Sequence, residues 1–224
     1  MFRLMVITHR HRLVEALQLP ETQALDCLTD QIAGALAGGA DLVYVREPDL
    51  HARDLIRVVT SVTARVPGAH ERLVVRDRVD VAVTLGVGVH LPEAGMSVRQ
   101  ARWLCEHRGA PLVLGRSVHT PQSAAASRGA SYLLAGTVKP TVSKPGLLHP
   151  LGLSGLRAVC EAVSDIPVLG VGGLGTNDVE DLRRAGASGL AAIGLFIPAR
   201  FCADVTAWTT QRLRDLRNCV DSGE

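Results

Sequence analysis

Aromatic residues are scarce in this chain of 224 residues: they make up 3% of it, whereas hydrophobic residues make up 47%. A core with so few rings has to be built from Val, Leu, Ile and Ala, as in parallel sheets covered by helices. The formal net charge is only +2, which argues against a nucleic-acid-binding protein, since such proteins carry a clear basic face. No apolar run approaches the length that crosses a bilayer. We therefore expect no nucleic acid and no membrane among the partners.

Paired cysteine spacings are absent as well. The cysteines are odd in number and scattered along the chain. This pattern fits reduced thiols in a cytoplasmic protein better than a disulfide framework or a metal site. They are Cys27, Cys105, Cys160, Cys202 and Cys219.

Short apolar runs and longer amphipathic segments alternate from one end of the chain to the other. Strands are predicted at 4–8, 42–46, 73–76, 88–91, 111–115, 132–136, 167–170 and 189–193. Helices are predicted at 23–37, 52–65, 79–85, 97–106, 121–127, 153–162, 177–184 and near 203–217.

Three similar joints support this phasing: Gly39-Ala40-Asp41, Gly129-Ala130-Ser131 and Gly186-Ala187-Ser188 each follow a helix and precede a strand. Glycine after a helix can adopt the left-handed conformation that ends it. Eight strands with right-handed crossovers predict an α/β fold of the (β/α)8 TIM barrel type, as one domain over residues 1–224. An open doubly wound sheet is the alternative.

The loop after the sixth strand is rich in donors. It carries Lys139, Thr141, Ser143 and Lys144 between two prolines and two glycines. Two ammonium groups and two hydroxyls suit a phosphate or a pyrophosphate. The alternative is a solvated surface loop.

In a barrel, function lies at the carboxyl ends of the strands. Gly172 and Gly173 follow the seventh strand and Gly194 follows the eighth. Loops at these two places commonly form a phosphate site, because glycine lets backbone N–H groups approach a ligand. Otherwise these glycines only form tight turns.

Other strand ends carry charged residues with more than one use. Arg46 could hold a carboxylate or phosphate, or pair with Glu47 or Asp77. Asp77 could be a lone metal ligand or part of an ion-pair cluster with its flanking arginines. The basic run His9-Arg10-His11-Arg12 is read as a solvated loop, with contact to an anionic substrate as a second use.

Strand-end hydroxyl and imidazole groups complete the candidate set. Ser117 could cap the following helix or donate to an anion. His90 and His119 are both interpreted as hydrogen-bonded structural histidines that could titrate near neutral pH.

Seven motifs occur in one order along the chain, and together they resemble the thiamine phosphate synthase/thiazole tautomerase (TenI) family. They are Val45-Arg46-Glu47, Asp77-Arg78-Val79-Asp80, Val89-His90-Leu91, Gly115-Arg116-Ser117-Val118-His119-Thr120, Thr141-Val142-Ser143-Lys144-Pro145, Gly172-Gly173 and residues 189–193. The resemblance implies a (β/α)8 barrel, often a homodimer, that handles the thiazole phosphate half of thiamine.

Synthases of this family join an aminopyrimidine pyrophosphate to a thiazole phosphate with Mg²⁺. The resemblance implies Gln-x-Arg-x-Lys at the end of the second strand, where this chain has Tyr44, Arg46 and Pro48. It implies an Asn-Asp pair after the third strand, where Arg76 precedes Asp77. The pyrophosphate-binding Thr-x-Thr-Lys motif is matched at 141–144.

A second metal-binding acid is implied after the fourth strand, but Gly95 stands at that place. Mg²⁺ prefers several hard oxygen ligands, so one missing carboxylate weakens its binding. Glu93 could compensate from a neighbouring position.

Tautomerases of the family place a histidine between Gly and Val after the sixth strand, and this chain has Thr137 there. Threonine alone is a poor general base near neutral pH. Isomerisation would therefore need His119, His90 or Glu47 as the proton carrier. The catalytic candidates are Arg46, His119 and Thr137.

Three functions follow. The leading hypothesis is a tautomerase-branch protein, without a cofactor, that binds a thiazole phosphate through Ser143, Lys144, Gly172, Gly173 and Gly194, with Arg46 on an anionic group. The second is a Mg²⁺-dependent thiamine phosphate synthase with Asp77 as a metal ligand. The third is a non-catalytic module that binds thiamine phosphate.

Overall fold

Eight parallel strands close into a barrel in the computed structural model, which describes residues 2–108, 113–141, 150–199 and 201–222. Each strand pairs with the next in sequence, and the eighth pairs with the first. This topology confirms the predicted TIM barrel. The strands are β1 Arg3–Ile7, β2 Leu42–Val45, β3 Leu73–Arg76, β4 Gly88–Leu91, β5 Leu114–Val118, β6 Tyr132–Gly136, β7 Val168–Val171 and β8 Gly189–Ala192.

Helices connect the strands on the outside. They are α1 Arg10–Leu17, α2 Ala24–Ala37, α3 Ala52–Arg65, α4 Val79–Leu85, α5 Val98–His107, α6 Pro121–Ala125, α7 Gly152–Glu161, α8 Val179–Arg184 and α9 Val205–Ser222. None of the helices in the described part of the chain is both long and apolar enough to span a bilayer.

One predicted strand is displaced. The sequence indicated 111–115, whereas β5 runs to Val118, and residues 109–112 lie outside the described ranges. The end of β5 was missed because Arg116 and Ser117 interrupt the apolar pattern. The register of β5 is given by two pairs: Gly115 pairs with His90 of β4, and Ser117 pairs with Leu134 of β6. Ser117 therefore lies inside a strand. The other predicted strands agree with the observed ones to within one residue at each end.

Helix α1 was not predicted, because its first turn is the basic run that was read as a loop. Leu13 and Leu17 lie four residues apart on one face and are fully buried. They pack in a small cluster with Cys27 of α2 and Val205 of α9. Apolar periodicity after the basic run is thus enough to form the helix.

Alternate residues of the strands face two separate cores. One cluster, including Ile7, Tyr44 and Leu134, fills the barrel interior. The larger cluster, including Val43 and Leu133, lies between the strands and the surrounding helices. A barrel with a filled interior leaves its binding space at the carboxyl ends of the strands.

Candidate functional site

A cavity of about 630 Å³ opens at the carboxyl ends of the strands. Its size suits a small phosphorylated molecule. Eight of the predicted site residues line it: Arg46, Ser117, His119, Thr137, Thr141, Gly172, Gly173 and Gly194. The fold therefore brings together side chains that are far apart in sequence.

The other predicted site residues are Ser143, Lys144 and Asp77. Ser143 and Lys144 lie outside the described residues. Asp77 is absent from the cavity lining. Lys139, from the same loop as Thr141, forms an ion pair with Asp178 instead of facing the cavity.

The glycine pair after β7 is required by a close approach of the chain. Gly172 has a φ of +98° and Gly173 a φ of +64°. A Cβ atom on Gly172 would lie 2.4 Å from Cγ2 of Thr137, and one on Gly173 would lie 2.3 Å from the carbonyl oxygen of Pro140. The loop after β6 therefore packs directly on these glycines.

Gly173 and Gly194 line this end of the cavity, and their N–H groups are candidates for binding an anion. Within the described ranges, neither the Gly173 nor the Gly194 N–H donates to a backbone acceptor outside the helices and strands. Gly194 begins a short 3₁₀ helix, Gly194–Phe196, and a Cβ atom there would have no heavy atom within 4 Å. Backbone amides with open space in front of them can bind phosphate oxygens.

The cavity wall carries three arginines, Arg12, Arg46 and Arg76, and His9 lies among them. Burial is the main reason that the pKa of His9 lies below its ordinary value. Of these four, only Arg46 was among the predicted site residues, and contact with an anionic substrate was the second predicted use of the run from His9 to Arg12. The signal was present, because Arg76 ends β3 and His9 follows β1 at the same end of the barrel.

The carboxylate of Glu47 is buried and takes part in a network of hydrogen bonds and an ion pair. Its Oε2 accepts from Nη1 of Arg10 at 3.0 Å, and its Oε1 accepts from the Thr8 hydroxyl at 2.6 Å. Arg10 also donates to Asp49 at 2.7 Å, which raises the pKa of Arg10 and lowers that of Asp49. The expected solvated loop at Arg10 is therefore wrong: Arg10 is 8% exposed because two acids from the loop after β2 pair with it. Glu47 is not on the cavity wall.

His90 is fully buried inside the barrel, with its ring between Tyr44 and Tyr132. Its Nδ1 lies 2.9 Å from the Tyr132 hydroxyl and its Nε2 lies 2.8 Å from Oγ of Ser117. Burial, with smaller contributions from nearby arginines, lowers the pKa of His90 to about 3. The ring is therefore neutral at physiological pH, and the interpretation as a hydrogen-bonded structural histidine fits the geometry.

Ser117 does not cap helix α6. That role belongs to Thr120, whose hydroxyl accepts from the Ser123 N–H at 3.1 Å. Ser117 instead connects His90 to the cavity.

His119 and Glu93 form an imidazole–carboxylate pair on the cavity wall. Nδ1 of His119 lies 2.6 Å from Oε2 of Glu93, and the His119 N–H donates to Oε1 at 3.2 Å. Burial acts to raise the pKa of Glu93, but hydrogen bonds from Ser123 and His119 lower it overall. Such a pair is able to move a proton to or from a bound ligand.

In the described part of the chain, few carboxylates near Asp77 are available to bind a divalent cation. A Cβ atom on Gly95 would begin 3.1 Å from Oδ1 of Asp77, so the missing carboxylate would have faced Asp77. Glu93, which could have compensated, is engaged by His119. The described residues contain no group of three or more His, Cys, Asp or Glu side chains placed to hold a metal ion. These residues do not fit a Mg²⁺ ion held by several protein carboxylates.

Comparison with known proteins gives consistent results. A model of the family described as thiamine monophosphate synthase matches residues 17–196. The thiamine-phosphate synthase of Chloroflexus aurantiacus is 37% identical over 183 residues, which cover 80% of this chain and 81% of that protein. The thiamine-phosphate synthase of Salinispora arenicola is 42% identical over 162 residues, which cover 71% of this chain and 74% of that protein.

A solved structure agrees with these relatives. The thiamine phosphate pyrophosphorylase of Pyrococcus furiosus has a TM-score of 0.75 and 28% identity, with 99% of this chain and 96% of that chain covered. These relatives are named for synthesis, so they support the synthase alternative and do not support the preference for the tautomerase branch. The ordered motifs, the barrel and the matched family model lead to one conclusion: the chain belongs to the thiamine monophosphate synthase family.

Proposed function

We propose that this chain binds a thiazole phosphate in the strand-end cavity and acts in the formation of thiamine phosphate. One observation carries the proposal. The glycine turns after β7 and β8 line the same cavity as Arg46, at the end of the barrel where such folds bind phosphates.

The lining of the cavity suits the parts of such a ligand. The N–H groups of Gly173 and Gly194 would donate hydrogen bonds to the phosphate oxygens at one end of the ligand. Leu134 and Val171 offer apolar surface for the thiazole ring. Arg46 would face a second anionic group.

The reaction proposed first is the one for which the relatives are named. An aminopyrimidine pyrophosphate would join the thiazole nitrogen, with pyrophosphate as the leaving group. Arginine side chains on the cavity wall would stabilise the charge that develops on this leaving group.

Isomerisation of a carboxythiazole phosphate is the second candidate, and the His119–Glu93 pair favours it. This reaction needs a group that moves a proton on the ring, and Thr137 alone cannot do so. His119 lies on the same wall as Thr137 and is held at 2.6 Å by Glu93.

Substitution of Gly194 tests the binding site. Gly194→Asp adds a carboxylate where there is open space, so we expect the fold to persist and the affinity for thiazole phosphate to fall at least about tenfold by repulsion. Titration calorimetry measures the affinity. Gly194→Asn is the control of matched size, and Gly175→Asp places the same charge at another open glycine away from the cavity wall. Unchanged affinity in a folded Gly194→Asp protein would contradict the site.

Product assays separate the reactions. Pyrophosphate release from the two synthase substrates supports the first candidate, and a change in the NMR spectrum of carboxythiazole phosphate that depends on His119 supports the second. Tight binding of thiamine phosphate with neither reaction would assign the chain to the non-catalytic class.

A further inference from the structure

Among the described residues that line the cavity, arginines outnumber acids. Three arginines line the cavity, and the acid among the lining residues is Glu93, which is engaged by His119. Two or more like charges that share a partly enclosed space raise the local concentration of anions. The wall therefore favours a ligand with more than one negative group.

Arg46 and Arg76 form no ion pair with an acid in the part of the chain that the structure describes. Among the ion pairs of the described residues, none involves the side chain of Arg46 or Arg76. Glu47, which the sequence offered as an ion-pair partner for Arg46, forms its ion pair with Arg10 instead. In contrast, Arg78 on the same turn as Arg76 is paired with Asp80.

The guanidinium groups of Arg46 and Arg76 both affect the pKa of the same side chain, Tyr44. Burial is the main cause of the raised pKa of Tyr44, about 12, and the charges of Arg76 and Arg46 both oppose it. Arg46 directly follows Val45 and Arg76 directly follows Val75, and Val45 and Val75 pair with each other across β2 and β3. The two arginines are therefore neighbours, and the nearby Tyr44 stays neutral and does not cancel their charge.

The positive charge of Arg76 disfavours a metal ion at the neighbouring Asp77. Arg76 directly precedes Asp77 in sequence, and Gly95 has no carboxylate to offer beside Asp77. A cation close to a guanidinium would be repelled. A planar guanidinium, however, can itself bind two oxygens of a carboxylate or phosphate.

We propose that Arg46 and Arg76 form an anion subsite that binds a second negative group of the ligand, a carboxylate or a phosphate, without a divalent cation. The proposal rests on the proposed function, because a phosphate bound at the glycine end directs the rest of the ligand toward these arginines. It assigns to Arg76 a role in specificity, which is to select ligands with an anionic group at both ends.

Two thiazole phosphates, with and without a ring carboxylate, test the subsite by titration calorimetry in EDTA. We expect the wild-type chain to bind the carboxylate form about tenfold more tightly. Arg76→Gln should remove most of this preference and leave the affinity for the plain thiazole phosphate nearly unchanged. Arg78→Gln, on the same turn but paired with Asp80 and away from the cavity wall, is the control and should keep the preference.

Inorganic pyrophosphate distinguishes the source of the second anion. Binding in EDTA that Arg76→Gln weakens supports a phosphate subsite, whereas a preference confined to the ring carboxylate supports a carboxylate subsite. Equal affinity of the wild type for both thiazole phosphates, together with pyrophosphate binding that requires Mg²⁺, would overturn the inference. Failure of the plain thiazole phosphate to bind would instead overturn the proposed function, and neither result depends on a variant that folds.

Discussion

At the scale of single residues, a chain of hydrogen bonds from Tyr132 through His90 determines whether the Ser117 hydroxyl can donate to a ligand. Tyr132 is fully buried, and its hydroxyl has Nδ1 of His90 as its hydrogen-bond partner among the described residues. A buried hydroxyl that has one partner donates to it, so Nδ1 accepts and Nε2–H donates to Oγ of Ser117. The hydroxyl hydrogen of Ser117 is then free to point into the cavity. Glycine is required at position 115, beside these hydrogen-bonded side chains, since a Cβ atom on Gly115 would lie 2.2 Å from the Tyr132 hydroxyl oxygen.

Tyr132→Phe removes the donor that fixes the tautomer of His90. We expect the free energy of unfolding to fall by about 1–3 kcal/mol, because Nδ1 is left buried without a partner. The affinity for thiazole phosphate should fall several-fold as Ser117 loses its fixed orientation. Denaturant unfolding, calorimetry and the ¹⁵N chemical shifts of His90 measure these effects.

Ser117→Ala is the companion variant. It should lose ligand affinity with a smaller loss of stability, since His90 Nε2–H lies next to the cavity. If Tyr132→Phe keeps wild-type stability, affinity and ¹⁵N shifts, the proposed order of donors is wrong.

At the scale of the element, helix α1 sets one wall of the cavity. His9 precedes the helix and Arg12 lies in its first turn, and both line the cavity. The helix is held by Arg10, which bonds to Glu47 and Asp49 from the loop after β2. Positioning of the cavity residues therefore depends on a buried ion pair between the start of α1 and the loop after β2.

Glu47→Gln tests this anchor. The side chain of Glu47 is 2% exposed, and loss of one partner from a buried pair leaves the other charge uncompensated. We expect a loss of about 3 kcal/mol in the free energy of unfolding, measured with guanidinium chloride. Asp49→Asn, at a half-exposed carboxylate, is the matched control and should cost less than about 1 kcal/mol. Equal effects of the two substitutions would contradict the account.

The same anchor has a pH dependence of known sign. The hydrogen bond from Arg10 holds the pKa of Asp49 below its ordinary value. A lowered carboxyl pKa stabilises the native state above the unfolded pKa, and this contribution disappears as the pH falls through the folded pKa. Asp49→Asn should therefore reduce the loss of stability between neutral and strongly acidic pH, as followed by thermal unfolding across that range.

Strands and helices were predictable from the sequence where the apolar pattern is not interrupted by polar residues of the site. The bounds of β3, β4 and β6 follow from apolar runs between helices. The pattern failed where polar residues serve the site: Ser117 in β5 faces the cavity, and Arg10 at the start of α1 is neutralised by acids 37 and 39 positions away. Partners this distant in sequence leave no local signal, so a buried basic residue reads as a solvated one.

At the scale of the whole molecule, closure of the barrel creates the site. Residues from β1 to β8 meet at one mouth because all strands run parallel. This rule predicted Arg46, Ser117, His119, Thr137 and the glycine turns on the cavity wall. It did not predict that Lys139 pairs with Asp178, since both belong to loops whose paths depend on packing.

The balance of charge is also a property of the whole molecule. A net charge of +2 gives no hint of a basic cavity. Acids elsewhere, such as Glu47 and Asp80, are used in ion pairs with other arginines, which leaves Arg46 and Arg76 without acidic partners among the described residues. The site is therefore cationic although the chain is nearly neutral.

A crystal structure with bound thiazole phosphate tests the central claim most directly. The account predicts the phosphate within hydrogen-bond distance of the Gly173 and Gly194 N–H groups, the ring against Leu134 and Val171, and its far edge toward Arg46. A ligand bound elsewhere on the molecule, or a phosphate at the arginine end with the glycine turns empty, would contradict it.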